Sequence, residues 1–410
     1  MRLLTKLIDF EERNANSFYW SIGLAAISGF AAVFSFLIHV VAVRQLSLNQ
    51  YGELATAIAV VGVIGVGASA IQANVVDDVR REIDLIEIRN KSQRVSTLEI
   101  SILTLASFGV VLAGFSILHV SLLTAGLMSI WIPVSILLAR ANGEMQARHL
   151  QFLMHGSTLF TTALTLGVSS LTLLLSGGVA GLLAVRVFIA GGFALIVLRY
   201  SKTSLGTSFR FFHPNLISAT LVFTSVWFLA NFDVVISRAS LSSSDSGNIA
   251  IAAMFVNSVL LFPQLIGAVV YPRIVQNLTR KKQLSQLLTK SLVLAFAVQI
   301  ILIPVLWGIS EVAVRWVAGD NHVAASDAML LLSLAYVPIG CAIVLGQFLV
   351  ALGTRTHSIV VLLQVLLGAV LLRYVNASIN LFLMTLIFVA LSIAASMLVV
   401  AKKLIGDSDE

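Results

Sequence analysis

FLIHVVAVRQLSLNQYGELATAIA (36–59) and FLANFDVVISRASLSSSDSGNIAIAA (228–253) are two versions of one pattern. Each is the end of an apolar run, an Arg, a short polar loop, a Gly and a second apolar run that opens with small residues. Arg44 falls on Arg238, 194 positions later, and Gly52 on Gly247, 195 positions later, with one extra residue placed in the second loop. On the same register His39 falls on Asp233, so an ionisable group sits inside an apolar run at equivalent places. The pattern reads as an internal duplication.

The rest of the chain has room for two such halves. Of its 410 residues, 58% are hydrophobic and 11% charged, and the mean hydropathy is +0.99. That composition belongs to a polytopic helical membrane protein. The apolar runs are continuous and about 20 residues long, the length of a membrane-crossing helix, where a β-barrel would show alternating segments of about ten. Twelve spans are expected, near 18–43, 53–75, 96–118, 122–138, 157–175, 179–198, 216–236, 249–271, 291–309, 328–352, 359–375 and 381–401. Six precede the polar stretch around Lys202 and six follow it. The expected domains are 1–200 and 201–410, an N-terminal and a C-terminal six-helix lobe.

Charge placement sets an orientation. Of the 26 Lys and Arg, all but Arg44, Arg238, Arg315, Arg373 and Arg186 fall on the side of the N-terminus. Excess positive charge marks the cytoplasmic side, so both termini are expected in the cytoplasm. The net charge of +7 is therefore that of inward loops, and no nucleic-acid partner is implied. The segment 76–93 reads as a helix on the cytoplasmic face. Within it, Asp77 and Asp78 have Arg80 and Arg81 beside them and read as a solvated cluster. The first apolar run lacks the small-residue cleavage site of a signal peptide. The single Cys341 excludes an internal disulfide. There is no phosphate-binding G-x-x-x-x-G-K-[ST] loop, no Cys/His metal cluster and no G-x-S-x-G nucleophile, so neither an enzyme nor a cofactor is expected. The outer loops are short, the longest about eighteen residues. That leaves little room for the catalytic loop of a polyprenyl-dependent glycosyltransferase or polymerase.

Pro133, Pro263, Pro304 and Pro338 lie within apolar runs, where each removes a backbone hydrogen bond. Glu53 and Glu144 stand at span boundaries without an evident role.

The chain resembles the polysaccharide flippases of the MOP exporter superfamily, a group that includes O-antigen flippases, the lipid II flippase and, more distantly, MATE drug exporters. The resemblance is carried by VRQLSLNQYGELATA (43–57), ANGEMQARHLQF (141–152), SGGVAGLLAVR (176–186), NFDVVISRASLSSSDSGNIAIAAMF (231–255), VAGDNHVAASDAMLLLSLA (317–335) and GQFLVALGTRTH (346–357), with Pro263 and Pro272. One departure is that Ser246 and Asn248 flank Gly247, where the family often has an aromatic, as Tyr51 stands beside Gly52. The resemblance implies an all-α fold of two six-helix lobes in a V, related by a pseudo-two-fold axis. It also implies a cavity lined by the first two helices of each lobe, and alternating access. The implied cargo is a polyprenyl-diphosphate-linked oligosaccharide moved from the cytoplasmic to the outer leaflet. The implied partners are the bilayer and the glycosyltransferases and polymerase of the same pathway.

The residues themselves suggest roles. Asp233, in an apolar run, either binds a proton or sodium ion or forms a structural pair. His39, its mate in the repeat, either shares that task or packs. Arg186 is suited to a diphosphate, or to a carboxylate in its own lobe. Arg44 and Arg238 serve as interface anchors or substrate contacts. Gln72, Asn74, Asn231, Asn257 and Gln264 suit sugar hydroxyls or bonds between helices. An ion-coupled exporter of small molecules, MATE-like, is the main alternative.

Overall fold

The computed structural model describes residues 18–84, 109–147, 150–200, 214–278, 280–353, 355–375 and 378–406. Every regular element among them is helical. Hydrocarbon offers no partner to a backbone N–H or C=O, and a helix pairs them all within one segment. The helices are α1 (Phe18–Gln45), α2 (Leu48–Asp84), α3 (Leu122–Ala147), α4 (Gln151–Leu174), α5 (Gly178–Tyr200), α6 (Pro214–Leu229), α7 (Phe232–Ser240), α8 (Ser243–Val256), α9 (Leu261–Gln276), α10 (Lys281–Ala318), α11 (Ala324–Leu352), α12 (Arg355–Tyr374) and α13 (Ile379–Gly406). Nine helical stretches among the described residues are long and apolar enough to cross a membrane, or ten with the bent pair α6–α7 taken as one. The expected second span lies within α2. Of the expected third span, residues 96–108 lie outside the described residues.

Several elements differ from expectation. The span expected at 216–236 is broken: α6 and α7 meet at a bend of 62°. The cause is local. The Asn231 side chain donates from Nδ2 to the Trp227 carbonyl at 2.7 Å, while its backbone N–H turns to the Phe228 carbonyl. The side chain thus takes over a carbonyl that the helix backbone would otherwise use. At the 3-10 turn Asn257–Leu260, between α8 and α9, the cause is Pro263, which lacks the N–H that would reach the carbonyl of Val259. α2 runs on helical to Asp84, so the expected surface helix at 76–93 begins as its continuation; residues 85–93 lie outside the described residues. The expected eighteen-residue outer loop shrinks to the stretch around Asp320–His322, because α10 stays helical to Ala318. There Arg315 pairs with Glu311 and Asp320, while Trp307 and Trp316 are exposed, as suits indoles at a membrane boundary.

The described helices gather into two compact units. One draws on Met1–Gln45, Gly67–Ser116 and Val120–Phe211; the other on Leu46–Val66, Ile117–His119 and Phe212–Glu410. In the first, α1 packs on α4 and α3 on α5. The α3–α5 contact is built on Ala141, Ala194 and Leu198, and small side chains let these helices approach. In the second unit α11 is central, with α6, α8, α9, α10 and α13 packed about it. The outer side of α10 is apolar and exposed at Leu294, Phe296, Ile301 and Val305, as a lipid-facing surface should be.

The repeated pattern is repeated in three dimensions. α1 ends one residue past Arg44, and Leu46-Ser47 leads into α2; α7 ends two residues past Arg238, and Leu241-Ser242 leads into α8. The extra residue of the second copy therefore extends its helix rather than its loop. Both serines cap the helix that follows. Ser47 Oγ accepts from the Gln50 N–H, and Gln50 Oε1 in return accepts from the Ser47 N–H, a reciprocal capping box. Ser242 accepts from the Asp245 N–H at 3.1 Å.

The two glycines of the pattern meet inside the second unit. A Cβ on Gly52 would lie 3.4 Å from the Gly247 Cα, ordinary contact, whereas one on Gly247 would lie 2.7 Å from the Leu48 carbonyl oxygen. Gly247→Ala should therefore destabilise the protein by about 1–3 kcal/mol, because a backbone atom must move, and Gly52→Ala by much less. Thermal unfolding of the two detergent-solubilised variants checks the order; equal melting temperatures would refute the crossing.

Candidate functional site

Asp233 is placed by the break between α6 and α7. It stands in the first turn of α7, where the helix dipole favours negative charge, and is 1% exposed. Its Oδ2 accepts from the Tyr336 hydroxyl at 2.8 Å. Among the described residues its Oδ1 is buried without a hydrogen-bond partner; the N–H groups of Val234 and of Asp233 itself lie nearby without bonding geometry. Tyr336 comes from the middle of α11 and is fully buried. Its hydroxyl also lies 3.0 Å from Oδ1 of Asn257, an exposed residue at the α8–α9 break. A phenol has one proton and faces two acceptors here. Either Tyr336 donates to Asp233 while the Asn257 amide turns its NH2 to the phenol oxygen, or a protonated Asp233 donates to Tyr336, which donates to Asn257. The chain Asp233–Tyr336–Asn257 thus changes its hydrogen-bond direction with the protonation of one buried carboxyl.

Tyr336 is itself held. Gln299 of α10, wholly buried, donates Nε2 to the Tyr336 carbonyl at 2.8 Å. It fits there because position 340 is Gly, where a Cβ would collide with the amide.

Arg186 sits half-buried on α5, its Cζ 5.3 Å from the ring centre of Trp131 on α3. A guanidinium over an indole face is attracted to the ring. Among the described residues Arg186 has no carboxylate or hydrogen-bond partner. His39, half-buried on α1 in the same unit, is close enough to feel its charge.

Arg238 is 5% exposed at the end of α7. It donates to Asn49 Oδ1 at 2.7 Å and, at 3.3 Å, to the carbonyl of His119, a residue with a left-handed φ of 50°. Among the described residues its Nε has no partner, and Glu53 lies near enough to act on its charge. Arg44 is exposed in the last turn of α1. Gln72 on α2 donates to Gln146 Oε1 on α3 at 2.9 Å. Asn231 is committed to the Trp227 carbonyl, and Gln264 is half-buried on α9. The side chain of Asn74 lies outside the described residues.

The structure therefore brings Asp233 and Asn257 together through Tyr336, and Arg186 near His39 within the other unit. Sequence reasoning missed Tyr336, Trp131 and Asn49. A signal existed for two of them: a mid-span Tyr needs a partner for its hydroxyl, and a Trp away from the boundary is out of its usual belt. Glu144, read as a boundary charge, is buried one turn from the buried Arg140 on α3, near enough to act on its charge.

No protein-family profile matches the chain, and no curated protein matches it. Solved structures do. A multidrug resistance MATE family transporter of the MOP superfamily, in an inward-facing conformation, aligns over 94% of this chain and 98% of its own, with a TM-score of 0.67 and 10% identity. The lipid II flippase MurJ, in an inward closed conformation, aligns over 95% of this chain and 88% of its own, with a TM-score of 0.61 and 12% identity. The MATE multidrug transporter DinF-BH aligns over 94% and 96%, with a TM-score of 0.56 and 16% identity. The fold is an all-helical, polytopic membrane fold of the MATE-like kind.

Tyr336→Phe would leave both buried oxygens of Asp233 without a partner and should cost about 1–3 kcal/mol of stability. In an Asp233→Asn background the same change should cost less, a coupling of about 1–2 kcal/mol in a double-mutant cycle read from thermal unfolding. Strict additivity would mean that the hydroxyl does not serve the carboxylate.

Proposed function

We propose that the chain is a flippase that moves a polyprenyl-diphosphate-linked oligosaccharide from the cytoplasmic to the outer leaflet by alternating access. The fold is one that transporters and a lipid flippase use. The observation that carries the cargo class is Arg186, a guanidinium within a membrane-crossing helix, held by Trp131 and without a carboxylate among the described residues. A cation in hydrocarbon is costly unless something anionic or polar meets it, and a diphosphate accepts the two parallel bonds that a guanidinium offers. An exporter of organic cations has no use for a cation so placed.

In this reading Arg186 contacts the diphosphate, with His39 beside it. Asp233 takes up and releases a proton or sodium ion, and Tyr336 and Asn257 connect it to the exposed side of the α8–α9 break. Arg44 remains at the boundary. Arg238, held by Asn49 and the His119 carbonyl, closes the corner of the repeat, and Gln72 ties α2 to α3. Asn74 and Gln264 are the remaining amides for sugar hydroxyls, and Asn231, whose NH2 holds the Trp227 carbonyl, offers them only its Oδ1. The halves 1–200 and 201–410 are the two copies of the ancestral unit, with both termini in the cytoplasm of the inner membrane. Glycosyltransferases and a polymerase act before and after it.

A second reading keeps the same ion site and changes the cargo. A carboxylate hydrogen-bonded to a buried phenol, with one oxygen unpartnered among the described residues, also suits an ion-coupled exporter of small molecules.

Proteoliposomes carrying a fluorescent polyprenyl-diphosphate oligosaccharide separate these readings. Flipping should fall at least tenfold in Arg186→Ala and in Asp233→Ala, with Arg186→Lys partly active, while membrane insertion is unchanged. A deletion strain should accumulate the lipid-linked intermediate. Full flipping in Arg186→Ala would remove the cargo assignment, and no flipping by the parent protein would favour the exporter.

A further inference from the structure

The start of α10 and the end of α13 are neighbours in the second unit. Between them is a cavity of about 420 Å³ lined by Lys281, Lys282, Ser285, Lys402, Ile405 and Gly406. Among the described residues the lining has three lysines, one hydroxyl and no carboxylate; Asp407, Asp409 and Glu410, which follow Gly406 in the sequence, lie outside the described residues. Lys281 Nζ donates to the Gly406 carbonyl at 3.0 Å, which holds the two helix ends together. Lys282, Ser285 and Lys402 are exposed, so their polar groups are free to face a ligand. The first turn of α10 carries no acidic residue, and its N-cap, Arg280, makes no side-chain capping bond. Its leading N–H groups add further positive potential to the lysines.

Depth matters as much as charge. Lys402 directly follows the apolar run 381–401, and Gly406 lies about 6 Å beyond it by helix rise. The headgroup layer of a bilayer is about 5–7 Å thick on each side of the hydrocarbon. The cavity therefore lies where phosphate groups are concentrated. Basic hollows between membrane helices at that level are suited to acidic headgroups.

We propose that this cavity binds a phosphate group, supplied by the headgroup of an acidic phospholipid or by free phosphate. Lys282 and Lys402 contact the phosphate oxygens, Ser285 donates its hydroxyl, and Lys281 fixes the cavity floor through Gly406. None of these residues belongs to the set proposed for cargo or ion, so the inference stands apart from that reading.

The test is equilibrium binding to the full-length, detergent-solubilised protein. The probes are short-chain phosphatidylglycerol and phosphatidylcholine below their micelle concentrations, and inorganic phosphate. Phosphatidylglycerol should bind at least tenfold more tightly than phosphatidylcholine. The Lys282→Gln/Lys402→Gln double variant should weaken it about 25-fold, from roughly fivefold per lysine, and the Lys282→Arg/Lys402→Arg variant should keep it within a few-fold. Competition by millimolar inorganic phosphate assigns the site to the bare phosphate group; binding of the lipid without such competition assigns it to a lipid headgroup. Equal binding of the two lipids, or a Gln variant that binds phosphatidylglycerol as the parent does, overturns the proposal. The lipid comparison on the parent protein needs no variant, so a misfolded double variant would not shield the idea.

Discussion

A buried carboxyl group answered by one phenol is the contact on which the second unit turns. Asp233 lies among apolar side chains, where an unanswered charge is costly, and Tyr336 reaches it at 2.8 Å. To deliver that hydroxyl, α11 must run through the middle of its unit, and its neighbours are shaped to allow it. Gly340 leaves room for Gln299, and Gln299 holds the Tyr336 carbonyl. α6 must also stop before Asp233, and Asn231 stops it by taking the Trp227 carbonyl with its own side chain. The polar groups that disturb the helices are the groups from which the site is made.

The repeat is the second organising element. Its corner needs a helix stop, a two-residue turn and a capped restart, and both copies supply a Ser at the cap. Gly52 and Gly247 then allow the two restarted helices to touch. Arg238 reaches across that contact to Asn49 and the His119 carbonyl. Arg44, its counterpart in the first copy, is exposed. The copies share a backbone plan and differ in how their arginines are used. A buried guanidinium must find acceptors, whereas one at the boundary has water and headgroups.

Charge is distributed by the same logic. Within the first unit, Arg186 rests on Trp131, and Arg140 and Glu144 are buried one turn apart on α3. Lysines collect where the apolar runs end, at the meeting of α10 and α13. A cation inside the membrane needs a ring, a carboxylate or a cargo, while one at its edge can meet phosphate.

Helix class, membrane residence, the repeated corner and most spans were legible in the sequence, because continuous apolar length and a recurring local pattern are one-dimensional properties of the chain. Asp233 was legible too, since a lone acid in an apolar run stands out without coordinates. Its partner was not: Tyr336 is 103 positions away, and no local pattern says which face of α11 turns toward α7. The break at Asn231 depends on a side chain choosing a carbonyl one turn back, which only the packed helix decides. The same holds for Arg238, whose burial follows from residues 46–66 and 117–119 joining the second unit. Chain order specifies which segments enter the membrane; the tertiary structure decides which polar groups inside it find each other, because hydrocarbon leaves them no other partner.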